Sequence, residues 1–199
     1  MKYLCFAVFL INSLSANCQN IIDWDENYQL ELSDFQSAKT IIGSGDMYSL
    51  SVPAHMNFSF HMSSYEFMFT KNFNSKAVCN FNRNAGLIAA PNQEIATSLL
   101  ALARYDFDLC ELYTRKVRQG LYENKGAFSD PNFFQPIFTK LETEYVERST
   151  TVHQETDLGR NQAKLDLLHQ EVKREIGELA DFCKTCKPPK RKKQKSGDS

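Results

Sequence analysis

The sequence predicts an α+β domain in which a small, mostly antiparallel sheet packs on two or three long helices. Three observations carry that expectation. Between residues 95 and 121 apolar side chains recur every three or four positions (Ile95, Leu99, Leu102, Leu109, Tyr113, Val117, Leu121), the buried stripe of one long helix. Residues 47–52 and 58–69 alternate with a period of two, as strands with one buried face do. Two more helical stripes follow, one through Phe134, Ile137, Phe138, Leu141, Tyr145 and Val152, the other through Leu165, Leu168, Val172, Ile176, Leu179 and Phe182. With 199 residues, 42% of them hydrophobic, the chain can bury one real core, and nothing in its composition marks a second.

Taken in order, residues 1–18 read as a secretory signal peptide: Lys2, an apolar run over residues 3–11, then small and polar residues. The run is shorter than the roughly 20 residues a membrane span needs. Cleavage after Cys18 places Ala16 and Cys18 at the small-residue positions. The alternative is a lipoprotein acylated at Cys18, against which Asn17 counts as a poor preceding residue. The chain is therefore expected to be exported, periplasmic or secreted, with its folded domain over residues 19–182. Trp24 and Phe35 read as large core anchors. The alternation of Tyr48, Leu50 and Val52, then of Phe58, Phe60 and Met62, predicts two strands. A change of phase at Ser63-Ser64 implies a turn or bulge before a third strand carrying Tyr65, Phe67 and Phe69. Residues 71–84, polar and Asn-rich, read as a loop leading to the short stretch Leu87-Ile88.

The central helix is expected from Asn92, a good N-cap, to Asn124, with Glu94 at its positive end. Asp130-Pro131 opens the next helix, and Gly159 breaks the chain before the last one. Asp106 interrupts the central stripe. A carboxylate there either reaches water at the stripe's edge or finds a partner, Arg160 or another basic side chain near Leu158.

Around Asp106 lies a resemblance. The run Phe107-Asp108-x-x-Glu111-Leu112-Tyr113-x-Arg115-Lys116 resembles a helix of a family of small secreted bacterial proteins regarded as zinc-dependent proteases, whose function is largely unknown. Trp24 with Asp34-Phe35, and Glu155-Thr156-x-x-Gly159 with Gln162, are similar to two further family segments. The resemblance implies a minimal zincin-like fold. It also implies His-Glu-Gln-x-His immediately before Phe-Asp, and a histidine just before Gly159. Zinc in such sites is held by imidazoles one helical turn apart, with a glutamate to take a proton from bound water. Here the ligand positions are Leu102, Asp106 and Leu158, and the base position is Ala103. The expectation is a degenerate member with no catalytic residue, no metal and no cofactor, serving in binding or envelope structure.

Two alternatives stand beside it. A hydrolase with a rearranged site would bring Asp106, Asp108, Glu111, His153 and Glu155 together in a concavity, with raised pKa values. Association with an anionic surface would use the basic tail, Lys187, Lys190, Arg191, Lys192, Lys193 and Lys195, which leaves 17 basic and 23 acidic side chains in the rest of the chain. The partner expected is an unknown protein or envelope component; nucleic acid is not expected of an exported protein. His55 and His61 lack a third ligand, and His153 and His169 read as surface or stripe-edge residues. Residues 183–199 form a Cys-x-x-Cys and a tail expected to be disordered. Of the four cysteines left after export, Cys183 with Cys186 and Cys79 with Cys110 is the first pairing, and free buried thiols at Cys79 and Cys110 the alternative.

Overall fold

The computed structural model describes residues 20–43, 45–58, 63–126 and 132–189. The signal segment, Phe60, His61, Met62, the Asp130-Pro131 helix start and the basic run from Lys190 to Lys195 lie outside them. The fold is α+β. Its strands are β1 (Ile21–Asp23), β2 (Ile41–Ile42), β3 (Ser49–Ser51), β4 (Ala54–Phe58), β5 (Ala77–Asn82) and β6 (Leu87–Ala90). Its helices are α1 (Ser64–Phe69), α2 (Gln93–Asn124), α3 (Phe134–Glu155) and α4 (Gln162–Glu178). Instead of one sheet there are two three-stranded ones, β1-β5-β4, antiparallel throughout, and β2-β6-β3, in which β2 and β6 are parallel.

Two expectations need correction. The stretch assigned to a loop contains β5, the middle strand of its sheet. Ala77, Cys79 and Phe81 are buried while Val78, Asn80 and Asn82 are half-buried, so the asparagines occupy the outward face of a regular strand. Asn57 donates from its side-chain amide to Asn80 Oδ1 across β4 and β5 (2.9 Å), which makes polar composition compatible with pairing. The third predicted strand is α1. Ser63 accepts from the Glu66 amide (3.1 Å), capping a helix, and Tyr65 and Phe69 meet one turn apart at 4.8 Å between ring centroids.

Helix α2 is the axis of the molecule. Asn92 caps it, accepting from the Ile95 amide at 2.9 Å. One side of it packs on β4, β5 and β6, the other on α3 and α4. Contacts advance together along α2 and α4: Gly159 lies against Ser98 and Leu102, His169 against Asp108, and Ile176 against Arg115. The two helices therefore run parallel. The turn before α4 holds three residues in the left-handed region, Asp157 (φ 49°), Leu158 (φ 52°) and Gly159 (φ 85°). A Cβ on Gly159 would stand 3.0 Å from the Ser98 carbonyl and 3.2 Å from Leu102 Cβ, so glycine is needed both for φ and for close approach.

Cys183 and Cys186 form a disulfide, whereas Cys79 and Cys110 are free and buried. The second bridge expected first is thus replaced by its alternative. Burial, with Cys110 as a near neighbour, pushes the Cys79 thiol well up, and its Sγ donates to the Phe107 carbonyl (3.8 Å). Residues 183–189 are docked and not part of a free tail: Asn74 donates to the Cys186 carbonyl (3.0 Å) and Tyr122 to that of Pro189. No helix among the described residues is long and apolar enough to cross a membrane.

Candidate functional site

Three acids follow one another along α2, and each turns to a different partner. Asp106, 3% exposed, accepts from His153 Nε2 (2.7 Å) and from Ser149 Oγ (3.0 Å), both on α3. Of the two alternatives the buried partner holds and the water-facing edge does not; the partner is His153, whose carbonyl accepts from the Leu158 amide, while Arg160 pairs with Asp157 at 3.1 Å. The hydrogen bond to Asp106 raises the His153 pKa, outweighing the opposing effect of burial. Ser149 also lies 3.5 Å from the same Nε2. A serine relay needs carboxylate and hydroxyl on opposite ring nitrogens, so this trio is a clamp between helices and not a nucleophilic triad.

Asp108 accepts from Trp24 Nε1 and from His169 Nε2, each at 2.7 Å. His169 is therefore no idle stripe-edge residue; it ties α4 to α2 and, through Asp108, to the amino-terminal segment. Its ring meets that of Tyr105 edge-on at 5.9 Å, and burial pushes the Tyr105 hydroxyl up to about 12.

Glu111 belongs to a third arrangement. Arg115 Nε (2.9 Å) and Arg118 Nη1 (2.8 Å) both donate to its Oε1. The guanidiniums also donate to carbonyls: Arg118 to Ala77 (2.9 and 2.8 Å) and Phe182 (2.9 Å), Arg115 to Ile176 (2.9 Å). Buried charge this fully hydrogen-bonded is a structural joint. Glu155 faces solvent and pairs with Lys164 at 2.9 Å. The five candidates for a rearranged hydrolytic site thus go to four separate places and do not converge.

The positions singled out by the zinc-protease resemblance do not fit a metal. Leu102 and Ala103 are fully buried in apolar surroundings, and the Asp106 carboxylate is taken. The turn carrying Leu158 does seat on Leu102 through Gly159. Leu158 itself is 40% exposed, and its carbonyl accepts from Tyr48 at 2.7 Å. Among the described residues no three His, Cys, Asp or Glu side chains gather closely enough to hold a metal ion. His55 stands exposed on β4.

Two concavities flank Trp24. The larger, about 440 Å³, lies between residues 24–30, α2 and α4, and presents Trp24, Tyr28, Arg104, Asp108, His169 and Lys173. The smaller, about 270 Å³, lies beside the Glu111 joint and the Cys183–Cys186 disulfide. Sequence reading missed the larger one. Its residues sit on three segments far apart in the chain, and the available signal was only the coincidence of His169 and Lys173 one turn apart on α4. Arg104 and Asp108, one turn apart on α2, gave the matching half. No family model, curated protein or solved structure matches the chain.

Proposed function

We propose that this is an exported, non-catalytic domain built on a zinc-protease-like helical frame, and that it acts by binding an envelope or extracellular component. The observation that carries this reading is the junction of Gly159 with Leu102. The turn that would bring the third ligand rests on the helix position that would bring the first, and both positions are leucine. The residues shared with the family do structural work. Asp108 fastens Trp24 and His169, while Glu111 and Arg115 lock the carboxyl-terminal segment, so the frame persists without the metal chemistry.

The test is elemental analysis and peptide cleavage with the mature chain after incubation with zinc and dialysis. No stoichiometric zinc and no cleavage are expected; bound zinc, or cleavage that a chelator abolishes, would overturn the reading. The frame itself is tested by Leu102→His, Ala103→Glu, Asp106→His and Leu158→His combined. A folded quadruple variant should take up about one zinc per chain, as a three-ligand site does. Failure of that folded variant to bind would sink the family likeness.

A further inference from the structure

The cleft of about 440 Å³ beside Trp24 is within the size range of small-ligand sites. Trp24 is the chain's single tryptophan. Its Nε1 is held by Asp108, and Arg115 lies over the ring at 5.3 Å from the side of the smaller cavity. The ring borders both cavities, so part of it lines the cleft as well. Tyr28 is pinned as well, its hydroxyl donating to Asp34 at 2.7 Å. Leu30, Phe107, Leu165 and Ile176 supply apolar surface between these rings and α4. Rigid aromatic walls lower the entropy lost when a flat molecule enters.

The charges of the cleft are not balanced by depth. Arg104 is half-buried; its Nε donates to the Leu30 carbonyl (2.8 Å), and it makes no ion pair with any described residue. Both terminal nitrogens of a guanidinium held this way remain for an anion. Lys173 is likewise without an ion pair among the described residues. Because α2 and α4 run parallel, with Asp108 level with His169, Arg104 sits one turn before that pair and Lys173 one turn after it. The two cations are about 12 Å apart along the axis at 1.5 Å per residue. The acids are accounted for differently. Asp108 is consumed by Trp24 and His169, while Glu26 and Asp166 are exposed, where ion pairs contribute little.

We propose that this cleft binds a small organic acid with a flat apolar body. The carboxylate sits on the terminal nitrogens of Arg104, the body lies against Trp24 and the apolar side of α4, and Lys173 adds attraction at the far end. The proposal rests on the reading of the protein as a binder, but not on its zinc-protease likeness.

Trp24 emission reads occupancy of the site without a label. The mature protein is titrated at neutral pH with phenylacetate and phenylbutyrate, and with the amide and amine of each. The carboxylates should give a saturable change with a Kd about tenfold or more below those of amide and amine, the range of a charged hydrogen bond. Arg104→Met should remove that advantage. Should it unfold the amino-terminal segment, Lys173→Met, on the exposed side of α4, should still weaken the carboxylates severalfold and leave the amides unchanged. Equal affinities for acid, amide and amine, or no saturable change with either acid, would overturn the proposal. The zinc and cleavage assays do not depend on this emission, so the two readings fail separately.

Discussion

Two stretches of α2 bury charge in contrasting ways. Over residues 111–118 the buried charged groups are one glutamate and two arginines, and the arginines donate both to Glu111 and to carbonyls on β5, α4 and the segment after it. Over residues 106–108 the charged groups are two aspartates, each closed by a single histidine, one from α3 and one from α4. In the second, the bond to Asp106 raises the His153 pKa, which makes that clamp sensitive to pH. One helix thus carries a glutamate–arginine joint at its carboxyl-terminal half and two aspartate–histidine clamps at its middle, and the cleft lies beside one of the clamps.

The largest effect that would break this contrast is Arg118→Met. Its guanidinium holds Ala77 and Phe182 as well as Glu111, so the substitution strips acceptors from three segments and leaves Glu111 to Arg115 alone. Breaking a buried pair in this way costs about 3–5 kcal/mol. Urea unfolding at neutral pH should show that loss. A loss under about 1 kcal/mol would mean the joint is no more than a surface-grade contact.

Next in size is Gly159→Ala, which asks whether the parallel seating of α4 depends on its close start. The added Cβ meets Ser98 and Leu102 and also must adopt φ +85°. About 2 kcal/mol of destabilisation is expected from strain plus contact. The thermal midpoint checks it, and an unchanged midpoint would show that the turn can shift away from α2 freely.

The same contrast explains what the sequence disclosed. The helical stripes, the Asn92 cap and the break at Gly159 were legible because periodicity and positive φ leave local marks. Strand β5 was not, since its outward asparagines mimic a loop, and α1 was not, since its six aromatic-rich residues fit both periods. The demand that Asp106 have a partner was legible from the misplaced carboxylate, but His153 could be identified only once α3 was folded back on α2. The Glu111, Arg115 and Arg118 joint was not legible, because carbonyls from β5 and the segment after α4 complete it and sequence does not show them. The cleft was least legible because its three walls meet only in space.

The smallest effects concern the clamps. Asp106→Asn removes the ionic part of the bond to His153 and should cost about 1–2 kcal/mol where the imidazole is charged. The sign follows from the raised His153 pKa. A histidine whose folded pKa exceeds its unfolded value of about 6.5 contributes in full below that value. The contribution is lost as pH rises through the folded pKa. The wild type should therefore lose stability relative to Asp106→Asn as pH rises from about 6 to beyond the folded pKa, and the two curves should converge there. Asp108→Asn, at a pair whose side chains are 20% and 16% exposed, should cost less, about 1 kcal/mol, because water screens it more. It should also shift the emission of Trp24, whose Nε1 would then face an amide. Parallel pH curves for wild type and Asp106→Asn would mean that the central clamp holds by shape and neutral hydrogen bonding alone, and the distinction between the two halves of α2 would reduce to one of depth.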